Sequence, residues 1–338
     1  MIYQNACPTD LRMSHAFYTI TSMNPILSQP TLAEIVRSTT LLEMARLSER
    51  LGAQVTLASE TFQHTGSFKF RAAYNLARNV PHNKIITASS GNYGQALAYA
   101  CQLLGKQAIV VMPQNSAQVK IDAVREYGAQ VDLIDVNVVS RAARVAQLAQ
   151  EHPDAYVASA YDDPLVIQGN ASLGVELARV TPAFEFILAP VGGGGLSSGI
   201  ISGLRASGSA TPVIGAEPLL GNDAARSLRA GEIVVNAREP QTIADGARTM
   251  SIGKHNWAIL RDGIHSIVEV PEEQIAQAVR WLFTYANLKA EPTGALPIGA
   301  LLTQPEFFRG RRVCCVISGG NVGAGVYAKI LTGVHSTI

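Results

Sequence analysis

Lys69 stands in the run Gln63-His64-Thr65-Gly66-Ser67-Phe68-Lys69-Phe70-Arg71, and four consecutive glycines, Gly192 to Gly195, follow far downstream. A lysine amine can hold an aldehyde cofactor as a Schiff base. Glycines that open a helix present backbone N–H groups and the positive end of the helix dipole to a phosphate. Alone, a lysine is ordinarily a solvated charge and a glycine run a turn. Together they point to one cofactor that carries both an aldehyde and a phosphate, pyridoxal phosphate. A lysine of ordinary pKa, about 10.4, is an unreactive ammonium at neutral pH, so the reacting amine must be desolvated or neutralised. Phe68 and Phe70, on either side of Lys69, supply part of that surrounding.

Two further loops carry polar chemistry. Ser89-Ser90-Gly91-Asn92-Tyr93-Gly94 lies between the apolar residues 84–88 and the helical pattern of residues 95–100, so it reads as strand, polar turn, helix. Donors at such a helix start suit a carboxylate, and an ordinary capped turn is the alternative reading. Ser318-Gly319-Gly320-Asn321 follows the buried-strand run 312–317 in the same way.

The elements that must position these loops alternate along the chain. Strand-like runs cover residues 84–88, 107–112, 130–134, 156–158, 186–190, 213–216 and 312–317, and helical patterns cover 32–51, 93–104, 116–127, 140–151, 195–206 and 272–288. This order predicts an α/β fold, a mostly parallel sheet with helices on both faces. The 338 residues allow about two domains. With 27 basic and 26 acidic residues there is no bulk electrostatic case for nucleic acid or an anionic membrane as partner. No apolar run reaches the roughly 20 residues of a membrane span, and the first 30 residues lack a signal-type apolar core, so a cytoplasmic protein is expected. Cys7, Cys101, Cys314 and Cys315 have no zinc spacing; buried thiols are expected, with Cys314 and Cys315 on opposite faces of one strand.

With its loops in this order, the chain resembles the threonine dehydratase, serine dehydratase and serine racemase family of pyridoxal phosphate enzymes, of the tryptophan synthase β fold. The resemblance runs from roughly residue 30 to 330 and includes Thr65 to Arg71, Ser89 to Gly94, Gly192 to Gly195, Ala244-Asp245-Gly246, Glu291-Pro292-Thr293 and Ser318 to Asn321. It implies fold type II: two open, twisted, mostly parallel sheets with helices on both faces. Residues 81–159 would form a small substrate-side domain inserted between residues 1–80 and 160–338 of a large cofactor-binding domain. It also implies a homo-oligomer, a dimer. The cofactor would be held by Phe68, Lys69, Asn92, Gly192, Gly193, Gly194, Gly195, Leu196, Glu291 and Ser318. Within that set Asn92 would face its phenolic oxygen and Ser318 its pyridine nitrogen. Ser89, Ser90, Gly91 and Asn92 would surround the substrate carboxylate.

By the same resemblance Lys69 removes the Cα proton of a β-hydroxy amino acid, whose hydroxyl then leaves, giving a 2-oxo acid and ammonia. Ser90 matches the racemase serine that works on the opposite face, with a plain carboxylate ligand as the other reading. Arg141 matches a racemase arginine able to reach a second substrate carboxylate, which would suit 3-hydroxyaspartate; an exposed helical arginine is the alternative. Glu217, the Gly221 carbonyl and Asp223 match a divalent cation site for Mg²⁺ or Ca²⁺, unless they are simply solvated acids. The chain departs from the family pattern at Ala72, Tyr93 and Tyr161, all of which alter the substrate side. A nicotinamide dehydrogenase does not explain Lys69, and Ser197 stands where its third fingerprint glycine belongs. A cysteine synthase-like β-replacement enzyme shares the fold but differs near the lysine, which leaves dehydration the favoured reading and racemisation its rival.

Overall fold

The computed structural model describes residues 31–89, 91–116 and 118–333, and their strands fall into two sheets. In chain order these are β1 (Thr40–Glu43), β2 (Gln54–Ser59), β3 (Lys84–Ala88), β4 (Gln107–Pro113), β5 (Gln130–Ile134), β6 (Tyr156–Val157), β7 (Phe186–Pro190), β8 (Val213–Pro218), β9 (Ile264–Val270) and β10 (Arg312–Ile317). The larger sheet runs β1-β2-β10-β7-β8-β9 and the smaller β5-β4-β3-β6. All strand pairs are parallel except β1 with β2, an antiparallel edge.

Parallel strands covered on both faces read as continuous apolar runs, and β10 shows why. Its alternate side chains feed two different cores: Val313, Cys315 and Ile317 pack with Leu47, Leu57 and Leu296, while Cys314 and Val316 pack with Ala189, Ile200 and Leu204. The adjacent cysteines thus point to opposite faces, as expected, and both are buried. Cys7 lies outside the described residues.

The sequence reading fails at residues 32–51, which are not one helix. The chain forms a short helix Leu32–Ile35, then β1, then the helix Ala45–Leu51, which Gly52 ends in a left-handed conformation. Helical spacing is there, but Thr40 to Glu43 find four partners along β2, and pairing outweighs local preference. Strands β2 and β9 went unread. So did helices Lys69–Asn79, Pro164–Ala178, Lys254–Gly263, Pro292–Thr303 and Ala324–Thr332. In Pro292–Thr303 the internal Pro297 reads as a breaker, yet the helix is almost wholly buried and packing sustains it.

Helix Pro164–Ala178 lies very close to helix Gly195–Ala206. A Cβ at Gly203 would sit 2.1 Å from the Ala171 carbonyl oxygen, and one at Gly199 would sit 2.4 Å from the Asn170 Cβ. Three motif loops leave the carboxyl ends of β3, β7 and β10, where open α/β sheets place their ligands. No helix among the described residues is long and apolar enough to cross a membrane.

Candidate active site

The three loops line one cavity of about 720 Å³, together with Phe68, Lys69, Lys120, Arg141 and Glu291. Lys69 opens the helix Lys69–Asn79, and the preceding loop is pinned on both sides. The Phe68 N–H donates to the Ser318 carbonyl at 3.0 Å, and Ser67 bridges Gly319. Thr65 takes a left-handed φ of 59°, uncommon for a threonine, and its carbonyl accepts from Asn321 Nδ2 at 2.7 Å. Two residues into the helix, the fully buried Arg71 pairs with Glu60 at 2.8 Å and Glu176 at 2.6 Å, fixing the lysine's helix to its neighbours.

The Lys69 amine donates to the Ala160 carbonyl at 2.7 Å, and lies 5.1 Å from the Phe68 ring centre and 5.7 Å from that of Tyr93. Burial among these rings lowers its pKa to about 8, with Glu291 pulling weakly the other way. A usable fraction of free amine therefore exists near neutral pH. Glu291 is itself pushed up, by burial first and by Asp245 second. Its Oε1 accepts from Asn92 Nδ2 at 2.8 Å, and Asn92 Oδ1 accepts from Asn321 Nδ2 at 2.8 Å. Asn321 thus orients Asn92 and Thr65 together, a role that its position after two glycines did not disclose.

The glycine run leaves β7 and starts the helix Gly195–Ala206, with Gly194 at φ 93° as the residue before it. That backbone conformation is one that residues with a Cβ rarely adopt. A Cβ at Gly193 would meet the Tyr161 ring at 2.1 Å. The N–H groups of Gly192 to Leu196 donate to no backbone carbonyl among the described residues. Such free donors at a buried helix start ask for an anion. The Lys69 amine, the donors of the glycine run and the buried Ser318 share one cavity, so the residues present fit pyridoxal phosphate.

On the substrate side Ser89 lines the cavity, but its Oγ accepts from the N–H groups of Gly91 at 3.3 Å and Gly94 at 3.1 Å. The hydroxyl therefore shapes the turn as well as facing the cavity. Ser90 lies outside the described residues. Gly91 and Asn92 line the cavity, and Arg141, the first residue of helix Arg141–Glu151, reaches Glu239 at 3.1 Å. Lys120, Arg248 and Glu239 also line it; they come from separate segments with no motif to announce them.

Glu217 and Asp223 come together away from these loops. Glu217 accepts from the N–H groups of Ala224 at 2.8 Å and Ala225 at 2.9 Å. Asp223 accepts from Asn236 at 2.8 Å through Oδ1, and its buried Oδ2 has no partner. Burial raises both carboxyls, Asp223 to about 6. Among the described residues no cluster of three or more His, Cys, Asp or Glu could hold a metal; the expected set has two acids and the Gly221 carbonyl.

A family model described as pyridoxal-phosphate dependent enzyme matches residues 32–319. The chain belongs to that family. It is 35% identical to the L-threo-3-hydroxyaspartate ammonia-lyase of Saccharomyces cerevisiae over 89% of this chain and 93% of that protein. It is 34% identical to the serine racemase of Mus musculus over 86% of this chain and 88% of the racemase. Among solved structures, the T.th. threonine deaminase superposes with a TM-score of 0.81 at 39% identity, over 86% of this chain and 95% of that one. The two-sheet fold and the cofactor expected from the sequence hold, and the protein is a pyridoxal phosphate-dependent enzyme of the ammonia-lyase and racemase class.

Proposed function

We propose that this enzyme is an ammonia-lyase for β-hydroxy amino acids and that its preferred substrate carries a second carboxylate, as 3-hydroxyaspartate does. The observation that carries the reading is the placement of the depressed Lys69 amine and the Arg141 guanidinium on one cavity. Pyridoxal phosphate, when bound, supplies the electron sink for negative charge at the substrate's α-carbon. The chain supplies the rest. Lys69 takes the Cα proton, the loop from Ser89 to Asn92 seats the α-carboxylate at the start of helix Asn92–Leu104, and Arg141 receives the distal carboxylate. Departure of the β-hydroxyl and hydrolysis give a 2-oxo acid and ammonia.

Phe68, Asn92, the run Gly192 to Leu196, Glu291 and Ser318 are assigned to the cofactor. A Ser318 hydroxyl can donate to a pyridine nitrogen without protonating it, which favours prompt elimination. Residues 81–159 are assigned to a substrate-side domain, supported by a smaller sheet built from β3 to β6 alone. A dimer completes this reading. Release of 2-oxo acid and ammonia across serine, threonine and both 3-hydroxyaspartate diastereomers, run beside chiral analysis, tests it. Highest kcat/KM for a hydroxyaspartate is expected; a preference for threonine would remove Arg141 from the substrate. Racemisation through Lys69 and Ser90 is the second reading, supported by the likeness to serine racemase, and chiral analysis of the recovered substrate decides it.

We also assign Mg²⁺ to Glu217, the Gly221 carbonyl and Asp223. The unpartnered Asp223 Oδ2 supports this reading, since a buried acceptor without a donor suits a hard cation. Mg²⁺ at about ten times its Kd should stabilise the native state by about 1.4 kcal/mol, seen as a higher Tm. Glu217→Ala should erase that shift. A shift that survives in this variant would place the ion elsewhere.

A further inference from the structure

Two asparagines outside every sequence motif hold the glycine run from behind. Asn170, on helix Pro164–Ala178, is 1% exposed, and Asn256, on helix Lys254–Gly263, is fully buried. Asn256 Nδ2 donates to the Gly193 carbonyl at 2.8 Å, which also accepts from the Gly253 N–H at 3.1 Å, and to the Tyr161 carbonyl at 2.9 Å. Asn170 Nδ2 donates to the Gly195 carbonyl at 3.0 Å. With carbonyl oxygens as the acceptors, the nitrogen of each amide must be the atom that faces them.

A planar trans peptide points its carbonyl and the next N–H in opposite directions. Tying back the Gly193 carbonyl therefore turns the Gly194 N–H the other way. Tying back the Gly195 carbonyl does the same for the Leu196 N–H. These are two of the donors without a backbone acceptor. Both amides leave Oδ1 buried without a partner, which is costly and rare. Ordinary packing would put an apolar side chain at either place. The surrounding glycines are fitted to the two residues: a Cβ at Gly194 would meet the Asn256 Cβ at 3.0 Å, and one at Gly199 the Asn170 Cβ at 2.4 Å.

We propose that Asn170 and Asn256 are positioning residues of the phosphate cradle, holding the Gly193–Gly194 and Gly195–Leu196 peptide planes with their N–H groups toward the cofactor's phosphate. This rests on the assignment of the glycine run to pyridoxal phosphate. A neutral amide serves where a carboxylate would both lose the donor and repel the anion.

Titration of the apoprotein with pyridoxal phosphate and with unphosphorylated pyridoxal separates this role from simple packing. Asn256→Asp and Asn170→Asp should each weaken pyridoxal phosphate by about tenfold or more, the loss of one charge-assisted hydrogen bond. Pyridoxal should bind as it does to the parent, and the phosphorus NMR resonance of the bound cofactor should move. Should the aspartate variants not fold, Asn256→Ser and Asn170→Ser carry the same comparison. Equal weakening of both ligands, or an unchanged phosphorus resonance, would overturn the proposal. A parent protein that bound pyridoxal and pyridoxal phosphate equally would remove the phosphate from the glycine run, and the proposal with it.

Discussion

The cofactor end and the mouth of the cavity are held by different physics. At the cofactor end the glycine run is tied by buried neutral amides, and a single added methyl at Gly193 would strike the Tyr161 ring. At the mouth, Arg141 meets Glu239 with side chains 38% and 49% exposed, and Lys120 meets Asp245 at 2.8 Å. Ion pairs at that exposure contribute about 0–1 kcal/mol, so one carboxylate can replace another there at little cost. Glu239 already occupies Arg141 in the way a substrate's distal carboxylate would. The difference teaches that the deep end is fixed by packing while the charges at the rim are exchangeable; under the proposed assignment the first sets the chemistry and the second the choice of substrate.

The deepest cut tests the buried end. Lys69→Ala should lower kcat for 2-oxo acid release by about a thousandfold or more, since it removes the proposed general base. The visible absorbance of the cofactor-loaded protein should vanish with it. Borohydride reduction of the parent, followed by peptide mapping, should place the cofactor on Lys69. Label on another lysine would break the comparison at its root.

Much of this end was legible in the sequence because its parts are contiguous. Lys69 between two phenylalanines, four glycines in a row and the serine after β10 each declare a local geometry. The mouth was less so, because Lys120, Glu239 and Arg248 meet Arg141 and Asp245 only through the fold. Asn170 and Asn256 were invisible for another reason: an asparagine inside a helix signals nothing until its amide is seen on a glycine carbonyl. In the fold, most of the parallel strands announced themselves as apolar runs, whereas buried β2, with Thr56 and Ser59 among its six residues, did not. The edge strand Thr40–Glu43 hid inside a helical spacing, since only its partner β2 makes it a strand.

A milder cut tests the rim. Arg141→Gln should reduce kcat/KM for 3-hydroxyaspartate by about tenfold to a hundredfold, the worth of one charge-assisted contact. The values for serine and threonine should hold, because neither reaches Arg141 with a carboxylate. A uniform fall across all substrates would mean that Arg141 shapes the cavity and does not choose its occupant.

The smallest expected effect is on stability, and it sets the two ends side by side in the apoprotein. Burial lowers Lys69 from 10.5 to about 8, so between those pH values the unfolded chain binds the proton more strongly than the folded one. Stability must then rise with pH across that window, and below about 8 the folded protein carries the full penalty of the buried charge. Lys69→Met removes the charge while keeping the chain length. The variant should therefore be more stable than the parent near neutral pH, by about 1–3 kcal/mol after allowance for partial exposure and the lost Ala160 hydrogen bond. That advantage should shrink as the pH climbs from about 8 towards 10.5. Arg141→Gln, breaking an exposed pair, should move stability by less than about 1 kcal/mol with no such dependence on pH. Denaturant melts of both variants across the window measure the contrast. A Lys69→Met curve parallel to the parent's would show that the amine is well solvated, and the deep end would then be no different from the rim.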